Sequence, residues 1–334
     1  MKQAAVFAVL LVSSLALAQA PAPTPAPPAP PPDPRLELDA RTYHLAVKGN
    51  IAFAANTASL AVWDMADRKS VKRLAALYLE DSTSHVLLDG DTLYLSSGPA
   101  GVRVVDVKSV AKPEVLGKLK TGGAAMMTAI SGKTLYVADG VMGLSVLDVS
   151  RPAAIKKVAS IPSKDYSRAV LVDGRTLYLG DGRGGVRVFS IASPRAPKEI
   201  AAIALKDQAR ELFVKDRLLY VAAGTEGLII LDVKDPRKPG VLSRVKTVDT
   251  ARGVFVEGAH AYVADGNDGI RIVDVKDPTK AAEIAELQTD YSANKITIAS
   301  GFGYISEDAK GLLIVDLKDP RRPVPVNRQL TGKK

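Results

Sequence analysis

Cysteine is absent from the 334 residues, which excludes disulfide frameworks, thiolate catalysis, thiolate zinc sites and a lipidated N-terminal cysteine. Histidine is almost absent too. His44, His85 and His260 are the whole supply, too little for a three-histidine metal centre or a conventional catalytic triad. Aromatics make up 5% of the chain, and no stacking platform is interleaved with the basic residues, so nucleic acid is not expected as a partner. The 36 acidic residues are outnumbered by 45 Lys+Arg, a formal net charge of +9 that bears first on solubility.

The longest uncharged apolar stretch, Ala4 to Ala18, falls short of the ~20 residues that a membrane-spanning helix needs. It follows Met1-Lys2 and ends at Ala18-Gln19-Ala20, small residues placed for signal peptidase. Residues 1–20 therefore read as a signal peptide, with a retained membrane anchor as the competing reading. Export to the periplasm or to the cell surface and medium follows equally, with no transmembrane segment after cleavage. Residues 21–34 are mostly Pro and Ala and read as an extended tether. The domain proper is expected over 35–334.

There the chain writes one pattern seven times. An Asp closes a Gly-Leu-x-Ile-Val-Asp-like run at Asp64, Asp106, Asp148, Asp232, Asp274 and Asp316, with Ser190 in the missing place, at a constant interval of 42 residues. Twelve residues earlier stand Tyr94, Tyr136, Tyr178, Tyr220, Tyr262 and Tyr304. Five residues earlier stand Gly101, Gly143, Gly185, Gly227, Gly269 and Gly311. Prolines such as Pro194 and Pro236 follow four residues later. Repeat one is the least regular, with Ala52 at the tyrosine place and Ser59 at the glycine place.

Each unit reads as four short strands, bounded by Gly, Asp and Pro turns and free of helical periodicity. In the third strand, Ile270 and Ile272 mark one apolar face, and Val273 and Val275 the other. Apolar residues on both faces place each sheet between two others, as in radially stacked blades. The fold class expected is all-β: a seven-bladed propeller of seven four-stranded repeats. Leu36–Leu38 and Val324–Leu330 are the candidates for a terminal strand that pairs into the last sheet and clasps the ring.

Gly311-Leu312-Leu313-Ile314-Val315-Asp316 and Gly269-Ile270-Arg271-Ile272-Val273-Asp274, preceded by Tyr-Val-Ala-Asp-Gly-like segments, resemble the LVIVD-repeat proteins. The resemblance runs through all seven units. It implies a secreted or cell-surface bacterial or archaeal propeller of undefined biochemical role, and it brings no catalytic residues.

The best candidate site is an Asp-x-x-Arg phase between the fourth strand of one blade and the first of the next: Asp165 with Arg168, Asp207 with Arg210, Asp249 with Arg252. Innermost strands line a propeller channel, so these arginines should be neighbours around its mouth. The loop between strands two and three opens on the same end and adds Asp139, Asp181, Asp265 and Glu307. Alternating Arg and Asp would hold a carboxylate or phosphate ligand, the guanidinium offering a bidentate fork. The structural alternative is that each Asp orients its own Arg and braces the blades.

Asp265-Gly266-Asn267-Asp268 offers oxygen ligands but lacks EF-hand spacing, so it reads as a turn. His44 and His85 fall on first strands one residue out of phase, so they are not expected to form a pair. No cofactor, metal site or catalytic residue is assigned. The expected function is a non-catalytic binding or scaffold module recognising a protein or anionic glycan at the channel mouth. The rival is a periplasmic hydrolase or lyase working in the same mouth, although no residue breaks the repeat to serve it.

Overall fold

A computed structural model describes residues 41–307 and 311–329. The expected signal peptide, the tether and Leu36–Leu38 lie outside the described residues. Seven blades occupy 42–78, 85–119, 127–161, 169–203, 211–245, 253–287 and 293–329. Each is a four-stranded antiparallel sheet with its strands in chain order. No helix among the described residues is long and apolar enough to cross a membrane.

The repeated residues explain the repeated geometry. The anchor Asp ends the third strand, and its Oδ1 accepts the backbone N–H two residues on, as from Lys108 to Asp106 at 2.7 Å and from Lys276 to Asp274 at 2.9 Å. This is an Asx turn. The tyrosines sit mid-sheet in the second strand and are buried. The Tyr136 hydroxyl donates to the Pro194 carbonyl of the next blade at 2.9 Å, which joins two repeated positions across a blade boundary. Gly143 has φ +85, and a Cβ there would collide with the Ile161 carbonyl oxygen on strand four. Glycine is needed for both reasons.

Apolar faces meet between blades rather than within them. Tyr262, Ile270 and Ile272 of blade 6 form one layer with Ile296, Ile305 and Leu313 of blade 7. Val273 and Val275, on the opposite face of blade 6, join Tyr220, Leu228 and Ile230 of blade 5. Fourth strands are outermost and largely exposed. Each carries a bulge against strand three, for instance between Val188 and Phe189, a device that blunts an open edge.

Among the described residues the ring closes without a strand exchange. Val324–Gln329 is the fourth strand of blade 7, paired with strand three of the same blade. The ring is sealed by side-chain packing: Leu45, Ala54 and Met65 of blade 1 against Tyr304, Leu312 and Ile314 of blade 7. Ser306 Oγ donates to the Tyr43 carbonyl at 3.1 Å, and Asn327 Nδ2 to the carbonyls of Arg68 and Lys69 at 3.2 and 3.1 Å. The layer is equivalent to every other layer, so no terminal strand has to bridge it.

Blade 1 departs from the expected register. Its second and third strands are Ile51–Asn56 and Ser59–Asp64, joined by a shorter turn than the one between Thr92–Ser96 and Val102–Asp106. The hairpin of strands one and two shifts by one residue. Phe53, not Ala52, takes the tyrosine place, since Phe53 pairs with Val62 as Tyr94 pairs with Val104. His44 likewise pairs with Ala55 as His85 pairs with Ser96. The two histidines are therefore equivalent, contrary to the sequence expectation, and their rings stack with centroids 4.3 Å apart.

Candidate functional site at the channel mouth

First strands are innermost. Each lies against the first strands of both neighbouring blades, and the circuit closes with Thr42–Lys48 against Ala293–Ala299. The residue before each arginine is latched to the preceding blade: Ser167 to Gly140, Ala209 to Gly182, Ala251 to Gly224. Each arginine then pairs within its own sheet, Arg168 N to Gly180 O at 2.8 Å, Arg210 N to Ala222 O at 2.9 Å and Arg252 N to Ala264 O at 2.8 Å. Backbone hydrogen bonds thus set three guanidinium-bearing residues side by side on blades 4, 5 and 6.

They line one cavity of about 280 Å³, as the sequence placed them. Tyr43, Ser84 and Met126 face them from blades 1 to 3, and Met127 and Lys295 lie one residue further along their strands. Among the described residues no carboxylate lines the cavity. Burial lowers the Arg210 pKa first, and the charges of Arg168 and Arg252 lower it further, against the opposing pull of Asp207 and Asp249. Arg168 is braced by the Tyr166 ring, 4.7 Å from its Cζ, and Arg252 Nη1 donates to Asn294 Oδ1 at 2.8 Å. Nε of Arg168 and of Arg210 has no hydrogen-bond partner among the described residues.

The aspartates have a different task. Asp165 Oδ2 accepts from Arg183 N at 2.8 Å, Asp207 Oδ2 from Thr225 N at 2.9 Å, and Asp249 Oδ2 from Asn267 N at 2.9 Å. Each clamps the strand two–three turn of the blade it precedes. Asp181 and Asp265 are fully buried below the surface. Asp181 accepts from Ser163 Oγ, from Ser167 Oγ at 2.7 Å, from Lys164 N at 2.8 Å and from Arg187 Nη1 at 3.0 Å. Burial pushes its carboxyl up, but these hydrogen bonds outweigh burial and hold it below the usual carboxylate range. Asp265 Oδ2 accepts from Val248 N at 2.9 Å and Asp249 N at 3.1 Å, which ties this oxygen-rich turn to the loop that precedes blade 6. Blade 5 has Ala223 at that phase, and Glu226, unmarked in the sequence reading, accepts from Asp207 N at 3.1 Å instead.

The family model described as the LVIVD repeat matches residues 122–161, 207–247, 250–289 and 292–331, which correspond to blades 3, 5, 6 and 7. The chain is an LVIVD-repeat propeller. The other three blades share the sheet topology and the 42-residue phase of the matched ones. Among solved structures the propeller is similar to the computationally designed Ika8 protein, at 12% identity and TM-score 0.67 over 88% of each chain, a likeness of fold alone. No curated protein matches it in sequence.

Beneath its arginines the LVIVD propeller carries a second belt that sequence reasoning missed. One residue after the arginine phase stand His85, Met127, Ala169, Glu211, Gly253 and Lys295, with His44 in blade 1 through the register shift. Lys295 Nζ donates to Glu211 Oε1, and Glu211 Oε2 accepts Val254 N at 2.9 Å, so Glu211 of blade 5 reaches past blade 6 to blade 7. Burial, then the Lys295 charge, lowers the His44 pKa to about 3. Burial, His44 and Lys295 carry His85 well below its ordinary value. The available signal was this phase itself: ionisable residues scattered at a position on a buried strand.

Proposed function

We propose that this LVIVD propeller is an exported, non-catalytic binding module that holds an anionic group of a protein or glycan partner in its arginine mouth. The observation that carries the reading is that Arg168, Arg210 and Arg252 share one cavity, and that among the described residues no carboxylate lines it. The nearby aspartates spend their oxygens on turn N–H groups. Closely spaced guanidiniums repel one another, and the repulsion is relieved when an anion enters. Charge-assisted hydrogen bonds from a rigid fork then supply orientation as well as affinity.

The test is capture of envelope proteins and anionic oligosaccharides by the wild-type chain and by Arg210→Ala. A bound partner should be lost about tenfold or more in affinity, since a hydrogen bond to a charged group is worth roughly 1.5–3 kcal/mol. Binding should also weaken with added salt. Capture that is indifferent to Arg210→Ala and to salt sinks the reading.

A further inference from the structure

Below the mouth lies a second cavity of about 250 Å³ with a different chemistry. Its lining includes Leu87, Ala129 and Leu171, side chains of first strands, with His85 and Glu211 at its polar end. Met127 lines both cavities. The Lys295–Glu211 pair joins them as well, Lys295 belonging to the mouth and Glu211 to the inner cavity.

We propose that the mouth and the inner cavity together take a single-chain aliphatic carboxylate, its head on the arginines and its alkyl tail running past Met127 against Leu87, Ala129 and Leu171. This rests on the arginine mouth as the binding site and names the ligand class for it. Charge complementarity decides the orientation. Among the described residues the mouth is lined by Arg168, Arg210 and Arg252 and by no carboxylate, whereas the inner cavity offers no net charge. There Glu211 is neutralised by Lys295 and satisfied by Val254 N. The imidazoles of His44 and His85 are stacked, and Thr128 Oγ1 lies 3.5 Å from His85 Nδ1. A polyanionic sugar would leave this apolar end unfilled, and a neutral alkane would leave Nε of Arg168 and of Arg210 without an acceptor. An amphipathic anion satisfies both, with apolar tail area removed from water as the second source of affinity.

The experiment is isothermal titration of the full chain with acetate, butanoate, hexanoate and octanoate below micelle formation, with 1-octanol and citrate as comparators. Affinity should rise about fourfold per methylene, the ratio that ~0.8 kcal/mol per buried CH₂ corresponds to. Octanoate should exceed 1-octanol at least tenfold, and Arg210→Ala should remove that margin. Ala129→Phe, which fills the lower cavity, should flatten the chain-length series while sparing acetate. If that variant does not fold, the wild-type series still decides. A flat series with arginine-dependent citrate binding would overturn the tail and leave the mouth standing. Octanol equal to octanoate would overturn the head-group assignment. No anion binding, together with partner capture unaffected by Arg210→Ala, would remove both.

Discussion

His44 and His85 stack at 4.3 Å between ring centroids, although they stand one residue short of the repeat length apart in sequence. The Val86 N–H donates to His44 Nδ1 at 3.3 Å, which ties blade 2 to blade 1 at the inner end of the first strands. The shorter turn in blade 1 makes this possible, and the pair carries a consequence for pH.

Both imidazoles are held neutral in the folded chain, His44 down to about 3 from an ordinary 6.5 by burial and by Lys295. An unfolded chain binds their protons near pH 6.5, and the folded chain refuses them until far lower. The unfolded state therefore carries more bound protons through that window, and stability falls as pH drops from about 6.5 toward 3. Replacement of both, His44→Phe with His85→Phe, should flatten urea-unfolding stability between pH 6.5 and 4.5. The Asp181 contribution has the same sign but sets in lower, as pH falls below the unfolded value of 3.8. An unchanged slope in the double variant would exclude the histidines as its origin.

Arg187 is 4% exposed and joins Asp181 at 3.0 Å, Glu199 at 2.7 Å and the Pro162 carbonyl at 2.8 Å. Arg187→Ala would strand the buried Asp181 charge with only neutral donors, at a cost of about 3–5 kcal/mol. Asp181→Asn with Arg187→Met should lose less than Arg187→Ala alone. A double-mutant cycle in denaturant measures this, and additive losses would count against coupling.

The seal between blades 7 and 1 is a layer like the others. Ile314→Ala at the seal and Ile272→Ala inside the ring should each cost about 2–4 kcal/mol, and by similar amounts. Both side chains are fully buried. A cheap Ile314→Ala in chemical denaturation would mean that the ring stands open in solution.

Gly132 and Gly143 both have positive φ, +56 and +85, but only Gly143 faces a crowded neighbour, with Ser163 N and the Ile161 oxygen in the path of a Cβ. Gly132→Ala should lose about 1–2 kcal/mol from backbone strain alone. Gly143→Ala should lose distinctly more, roughly 3 kcal/mol or above, because strand four must move. Comparable melting temperatures for the two would contradict the collision.

Most of the architecture was legible because a repeat multiplies a weak signal. One Gly-Ile-Arg-Ile-Val-Asp run is a plausible strand, whereas seven runs at a constant interval specify blades, turns and both buried faces. The arginine mouth was legible for the same reason: three residues at one phase must be neighbours once the blades are radial. The division of labour was not legible. Asp165 and Arg168 are three apart in sequence, and only the direction in which the turn of Arg183 presents its N–H decides that the Asp is used there. The same holds for Phe53 in the tyrosine place, because a one-residue turn difference leaves the anchor interval intact while the preceding hairpin slips.

By itself the sequence determined the number of blades, the strand order, the turn chemistry and the phase that faces the channel. These follow from local hydrogen bonding and from the period at which apolar residues recur. Tertiary structure alone decided how the ring seals, which acids stay buried, that two histidines meet, and that Lys295 reaches Glu211. Those contacts join residues far apart in the chain, and their energies depend on distance and burial, which no reading of spacing contains.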